Sequence, residues 1–297
     1  MTGFIFLDKP EGITSFVAAN RIKRIIKINK TGHTGTLDPM ATGVLPVMLG
    51  GATRFSQYLP THDKAYRAKI LLGTVTDTLD ITGTVLQEND VDVTRAQLEN
   101  TLNRFVGEIS QLPPMYSAVS KDGVRLYKLA RQGIEIEREA RNVVIHYIKL
   151  LDVPDSGNEF EIEVSCSAGT YIRSLAADIG SELGCGAAIT ALRRVEANGI
   201  AIDRTVTLET VQQFADEGRI EELITPCDEM LRCYPAVNVS EKQAVRFENG
   251  GELELKRIKG EKTDGFCRVY SPEKKFLGLG RISHADGTLY VEKKLVY

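Results

Sequence analysis

Long apolar runs are missing from this chain of 297 residues. Nothing in it approaches the ~18–20 consecutive apolar residues of a membrane-spanning helix, and the apolar stretch Phe4–Leu7 stops at Asp8 and Lys9 without a signal-peptide pattern. A soluble, intracellular protein with no membrane partner is the reading. Histidine is scarce: His33, His62, His146 and His284 are the only four, and none is spaced as H-E-x-x-H. The five cysteines, Cys166, Cys185, Cys227, Cys233 and Cys267, contain no C-x-x-C pair. These spacings exclude the usual transition-metal sites and predict reduced, mostly structural thiols. Internal repeats, low-complexity tracts, a P-loop and a strand-linked G-x-G-x-x-G are likewise lacking.

With 42% hydrophobic and 26% charged residues the composition is that of an ordinary globular protein, which excludes collagen-like, disordered and coiled-coil classes. Its length suggests two unequal domains. Net charge is only −3, but its distribution is uneven. Between Ser15 and Thr31 stand Arg21, Lys23, Arg24, Lys27 and Lys30 with no acid. Between Thr207 and Met230, Glu209, Asp216, Glu217, Glu221, Glu222, Asp228 and Glu229 oppose Arg219 alone. A small net charge therefore does not exclude RNA, because association depends on the field over one face.

Val17, Ile22, Ile25 and Ile26 follow the potential caps Thr14 and Ser15 near helical spacing and predict an amphipathic helix with a cationic outer face. Thr94-Arg95-Ala96-Gln97 fits a capping box, and Leu98, Leu102, Phe105 and Ile109 extend one stripe, predicting a helix over about 94–108. Further helices are expected from Tyr171 to about Leu183, ending at Gly184, and from Leu208 to Glu217, ending at Gly218. Tyr66–Leu72, Val143–Leu151 and Glu159–Cys166 read as strands, with Asp155-Ser156-Gly157-Asn158 turning a hairpin. The fold class is α+β: a mixed, largely antiparallel sheet flanked by helices. Residues 111–141, opened by Gln111-Leu112-Pro113-Pro114 and carrying Lys121, Arg125, Lys128, Arg131, Arg138 and Arg141, read as a basic, mobile flap. After Pro235, short strand-like pieces divided by glycines predict a small β-barrel, with seven basic residues against three acids from Lys256 to Lys275. The domains are accordingly 1–230 and 231–297.

The densest loop signature runs from Gly32 to Gly43, GHTGTLDPMATG, where three glycines and a proline compel a tight backbone around Asp38. Gly32–Gly35 has the G-x-x-G spacing that some RNA-binding domains use. Asp before Pro is also ordinary turn chemistry, so the residues alone leave Asp38 either as a turn cap or as a reactive carboxylate. Tyr66 can be core, and Arg173 in a first helical turn can be solvated. Together, an acid, an arginine to keep it ionised and an aromatic plane for a base would make a coherent site.

Gly32–Gly43 with Pro46, Gly50 and Ala52-Thr53, then Asp63–Arg67 (DKAYR), resembles the TruB family of tRNA pseudouridine synthases. Similar to the same family are Phe4–Pro10 (FIFLDKP), Gln111–Val119 (QLPPMYSAV), Gly123–Gly133 (GVRLYKLARQG), Cys166–Ser174 (CSAGTYIRS) and Ala191–Arg194 (ALRR). These blocks fall in the family's order over most of residues 3–200. The tail, with VRFENGGE from Val245 and FLGLG from Phe276, is similar to a PUA domain. The resemblance implies isomerisation of the T-loop uridine of tRNA to pseudouridine, with no cofactor and no catalytic metal. It implies Asp38 as the catalytic aspartate, Arg173 as its partner, and Tyr66 as the ring stacked on the target uracil. Tyr171 and Leu192 would complete the wall around the base, and His33 would fill the space of the flipped nucleotide. Lys9 and Pro10 would support the loop. It further implies a cytoplasmic monomer with no obligatory protein partner. The other readings are a non-catalytic tRNA-binding or RNA-folding protein, and an RNA-guided pseudouridine synthase of a ribonucleoprotein.

Overall fold

A computed structural model of the chain describes residues 1–117, 120–121, 123–130, 132–152, 158–260 and 262–296. Its first 201 residues hold strands β1 (Gly3–Lys9), β2 (Thr31–His33), β3 (Thr42–Leu49), β4 (Lys64–Leu72), β5 (Thr74–Thr76), β6 (Val85–Glu88), β7 (Gly107–Gln111), β8 (Ser120–Lys121), β9 (Val124–Arg125), β10 (Arg141–Asp152), β11 (Glu159–Cys166), β12 (Ala187–Ala197) and β13 (Ile200–Ala201). Helices α1 (Ser15–Ile25), α2 (Arg95–Arg104), α3 (Leu126–Ala130), α4 (Ile172–Glu182) and α5 (Leu208–Asp216) accompany them. A nine-stranded sheet runs β1-β3-β12-β4-β11-β10-β7, with β2 on β3 and β13 on β12. All its pairs are antiparallel except β12 with β3, so the sheet is mixed and largely antiparallel as expected.

β11 has the bounds read from the sequence, and its buried Phe160, Ile162 and Val164 alternate with partly exposed glutamates. Strands β1, β3 and β12 escape such a reading because they are covered on both sides. In β1, Phe4 and Phe6 pack with Phe55, Leu231 and Phe276, while Ile5 and Leu7 pack with Ala18 and Ile22 of α1 and Val211 of α5. The helices α2 and α4 bury Leu98, Leu102, Leu175 and Ile179 against Ala68, Ile70, Ile162 and Ile189 of the sheet.

Helix starts follow the caps. The Thr14 hydroxyl accepts from the Val17 amide, and Thr94 with Gln97 forms the expected capping box. Two expectations need correction. Of the expected stripe, Ile22 and Ile26 are buried and Ile25 packs beside them, but Val17 is 39% exposed, and Ser15, Ala18 and Ala19 complete the packed face. Helix α2 stops at Arg104, because Phe105 is its C-cap and Ile109 already belongs to β7. Helices α4 and α5 start and stop within a residue or so of expectation, followed by Gly184 and Gly218 at positive φ.

The expected flap opens in β7 at Gln111 and closes in β10 at Arg141, and between them lie the β8–β9 hairpin and α3. Regular structure thus occupies part of a stretch read as irregular. Arg131, the side chains of Lys121 and Lys128, and the turn residues 155–157 fall outside the described residues.

The tail forms β14 (Ala236–Asn238), helix α6 (Glu241–Glu248), β15 (Leu253–Glu254), β16 (Gly265–Tyr270), β17 (Phe276–Ser283) and β18 (Thr288–Lys294). Its five strands, ordered β14-β16-β17-β18-β15, make a curled half-barrel around Val237, Phe247, Val269 and Leu289. Helix α6, capped by Ser240 and Gln243, was hidden by the glycine-divided texture of the segment. All five cysteines are free, and only Cys233 is exposed. Burial pushes the Cys166 thiol up to about 11 and those of Cys227 and Cys267 to about 12, which keeps them protonated and unreactive.

The parallel contact of β12 with β3 sets Arg194 opposite Gly43. Gly43 has φ +102°, and a Cβ there would run into the Arg194 carbonyl oxygen. Gly43→Ala is therefore expected to lower stability by at least about 2 kcal/mol, read from urea denaturation midpoints at constant slope.

Candidate active site

The loop from Thr34 to Ala41 joins β2 to β3 and is held from several sides. Its Thr34 amide donates to the Pro46 carbonyl at 3.3 Å, and the Ala41 amide to the Asp38 carbonyl at 3.1 Å. Ser15, the first residue of α1, accepts from the Leu37 amide at 2.7 Å and donates to the Leu37 carbonyl at 3.1 Å. The Gly12 amide donates to Pro39 O at 2.8 Å. Fully buried Lys9 donates from Nζ to the carbonyls of Pro10 at 2.7 Å and Pro39 at 3.4 Å. Burial brings the Lys9 ammonium down to about 8, despite the opposing attraction of Asp38.

Asp38 leaves this loop with its side chain 35% exposed, and Arg173 Nε meets its Oδ2 at 2.9 Å. Arg173 comes from the first turn of α4, whose N-cap Tyr171 is gripped through its backbone: its amide donates to Gln111 Oε1 at 2.7 Å and its carbonyl accepts from Gln111 Nε2 at 3.0 Å. The other two guanidinium nitrogens are engaged as well. Nη1 donates to Thr78 O and Nη2 to Tyr116 O, both at 2.7 Å. Nη1 also lies 3.6 Å from Oδ2 of Asp80, a second carboxylate only 4% exposed. The other Asp80 oxygen accepts from the Thr78 hydroxyl at 2.9 Å and the Thr82 amide at 3.0 Å. Removal from water raises the Asp38 carboxyl above its usual range, and repulsion from Asp80 adds to it; Arg173 and Lys9 pull the other way without cancelling the rise.

Tyr66 on β4 is buried beside the pair, in the apolar cluster that holds Leu37 and Leu192. Burial raises its phenol, while the neighbouring Arg194 opposes the rise. His33 stands at the loop entrance. Its Nδ1 is buried without a hydrogen-bond partner, and burial together with Arg194 holds the imidazole below its usual value, so it is neutral at neutral pH. The structure thus joins Asp38 to Arg173 directly and puts Tyr66 and Leu192 in one cluster. Tyr171 adjoins Arg173 along the chain, and its bonds to Gln111 run through its backbone.

Sequence reasoning assigned no role to Asp80, Arg194 or Gln111. For Asp80 a signal existed in Thr78-Leu79-Asp80-Ile81-Thr82-Gly83, a turn-forming cluster centred on an acid. The basic stripe of α1 is also divided. Arg21 and Arg24 line a groove with Glu209, Asp216 and Glu217 of α5, so acidic side chains take up part of it. Lys27 and Lys30 line a different groove with Arg54 and no acid among the described residues.

Residues 23–172 match the family model described as TruB family pseudouridylate synthase (N terminal domain). Residues 173–232 match the tRNA pseudouridylate synthase B C-terminal domain, and residues 235–293 match Pseudouridine synthase II TruB, C-terminal. A tRNA pseudouridine synthase B of Pseudomonas putida (strain GB-1) is 45% identical over 292 residues, covering 97% of this chain and 94% of that protein. One of Escherichia coli O1:K1 / APEC is 42% identical, covering 95% and 91%. Among solved structures, a chain of a Cbf5-Nop10-Gar1 complex superposes with TM-score 0.73 at 28% identity, over 99% of this chain and 85% of that one. A chain of an H/ACA RNP bound to a substrate RNA containing 2'-deoxyuridine gives 0.72 at 26%, with the same coverage. Mixed sheet, buried acid–arginine pair and these matches define a pseudouridylate synthase. The chain belongs to the TruB family.

Asp80→Asn removes a like charge and leaves Arg173 a single carboxylate partner. Asp38 is then expected to titrate lower than in wild type, because one of the causes that raise it is gone. An acid is ionised above its pKa, so the variant keeps its Asp38 carboxylate to lower pH; carboxyl 13C NMR titration checks this.

Proposed function

We propose that this chain converts a uridine of tRNA to pseudouridine, and that the uridine is the one in the T-loop. The observation that carries the reading is the Asp38–Arg173 pair: a half-buried carboxylate fixed at 2.9 Å by a guanidinium whose other two nitrogens are tied to the carbonyls of Thr78 and Tyr116. Such a guanidinium holds one carboxylate oxygen in place, and the side chain remains 35% exposed.

In the reaction the N1–C1′ glycosidic bond breaks, the detached uracil turns, C5 bonds to C1′ and loses its proton, and N1 takes up a proton. Product and substrate have the same atoms, so the residues need only hold, orient and move a proton. Asp38 acts as the ionised group at the sugar or the base. Arg173 keeps it charged and oriented as the pocket dries. Tyr66 offers its ring to the uracil and its hydroxyl for proton movement, and Leu192 and Tyr171 close the wall around the base. A base inside its stack is out of reach, so the nucleotide must flip out. His33, neutral and with an unpartnered Nδ1, suits the space it leaves.

Phosphate contacts fall to Lys27, Lys30 and Arg54 and to the flap arginines Arg125, Arg138 and Arg141, giving affinity that weakens with salt, while the folded T-loop shape supplies specificity. We assign residues 1–230 to catalysis and 231–297 to RNA binding. The separate core of the tail and the break between family matches at 232 and 235 support that division. Action as a cytoplasmic monomer without an obligatory protein partner is part of the same proposal. It is favoured over the guided reading because relatives named tRNA pseudouridine synthase B are 42–45% identical, against 26–28% for the chains from partner-protein complexes.

Tritium release from unmodified tRNA labelled at uridine C5 tests the reaction. Wild type is expected to release tritium from the T-loop position. Asp38→Asn should bind tRNA within about threefold of wild type and lose at least about 1000-fold in rate. Unimpaired release by Asp38→Asn would sink the catalytic assignment.

A further inference from the structure

Arg194 is the largest fully buried side chain of the described residues, with 0% exposure. Strand alternation on β12 sends its neighbour Arg193 to the other face, where Nη2 pairs with Asp8 Oδ2 at 2.7 Å. Among the described residues Arg194 has no such carboxylate. Its donors go to backbone carbonyls: Nε to Val44 at 2.7 Å, Nη2 to Gly35 at 3.1 Å and Nη1 to Thr36 at 3.4 Å. Tyr66 is its cross-strand partner on β4, which puts the two side chains on one face of the sheet, and the guanidinium charge opposes the rise that burial gives the phenol. Its charge also acts on His33 and Lys64.

A buried cation without a counter-ion is costly, and an apolar side chain of similar volume would fill the same space with less penalty. Packing alone gives no reason for a guanidinium here. What the guanidinium does that methionine cannot is bridge three pieces: β3 at Val44, the loop at Gly35 and Thr36, and Tyr66 on β4. The loop carbonyls it grips lie two and three residues before Asp38. A tilt of the loop at Gly35 therefore moves the carboxylate, while Arg173 holds only its far end.

We propose that Arg194 is a positioning residue for the reaction, clamping the loop that carries Asp38 and orienting the Tyr66 hydroxyl, without itself touching the uridine. The proposal rests on the uridine-isomerase reading above.

The test is single-turnover tritium release, with tRNA affinity measured in parallel, for wild type, Arg194→Met and Arg194→Lys, and for Arg194→Met combined with Tyr66→Phe. Misplacement of a reacting group by about 1 Å costs on the order of 100-fold in rate, so Arg194→Met should lose about 100-fold in rate with affinity within about threefold. Lysine keeps the charge but not the fork, and Arg194→Lys should recover about tenfold of that loss. The double variant should lose less than the product of the single losses, because both act through one hydroxyl. Arg194→Met turning over within about fivefold of wild type, a loss confined to tRNA affinity, or strict additivity with Tyr66→Phe would overturn the proposal. If Arg194→Met fails to fold, Arg194→Lys decides: a loss of about tenfold in rate supports the proposal, and a wild-type rate overturns it. No release by wild type would overturn the isomerase reading and this proposal together, whereas wild-type release matched by Arg194→Met overturns this proposal alone.

Discussion

The guanidinium of Arg173 has to be satisfied in a place where water hardly reaches it, and the site is arranged around that need. Its donors fix Asp38 on the β2–β3 loop, Asp80 and Thr78 in the turn after β5, and Tyr116 after β7. Three segments distant in sequence are thereby locked to the first turn of α4. Removing this buried guanidinium would leave Asp80, itself buried, without a compensating charge. The same sharing keeps Asp38 under tension between charges: one cation serves two acids, and burial lifts the Asp38 carboxyl above its ordinary range.

A second buried guanidinium works on the neighbouring strand. Arg194 and Tyr66 face each other across β12 and β4, and Arg194 and Gly43 across β12 and β3. The parallel pairing of β12 with β3 therefore falls at Thr42 and Gly43, directly after the loop that bears Asp38. Ser15 at the head of α1 and Lys9 at the end of β1 bind the same loop from the other side. Glycines at Gly35 and Gly43 permit this crowding, since side chains there would meet Arg194 or Lys64.

How much could be read in advance varied with how the residues are covered. β11 is half-buried, its alternation is clean, and its limits were legible. β1 and β3 are buried on both faces and β12 is interrupted by bulges near Ile189 and Arg194, so period-two patterning fails in all of them. The stripe Leu98, Leu102, Phe105, Ile109 looked like one helix because a strand entering the same cluster continued it. The cationic stripe of α1 looked uniform in one dimension, whereas its outer face meets the acidic α5 on one side and a basic groove on the other.

Sequence by itself determined the family through motif blocks, the α+β class through patterning, the helix ends through their caps, and Asp38, Tyr66 and Arg173 as the set to watch. These are local signals: spacing, capping and turn chemistry act over a few residues and survive in one dimension. Tertiary structure decided that Arg173 is shared with Asp80, that Arg194 is buried with no carboxylate partner among the described residues, and that acidic α5 shields part of the basic helix. Each of these depends on groups far apart in the chain meeting in a low-dielectric interior, where a charge is defined by its neighbours rather than by its own residue type.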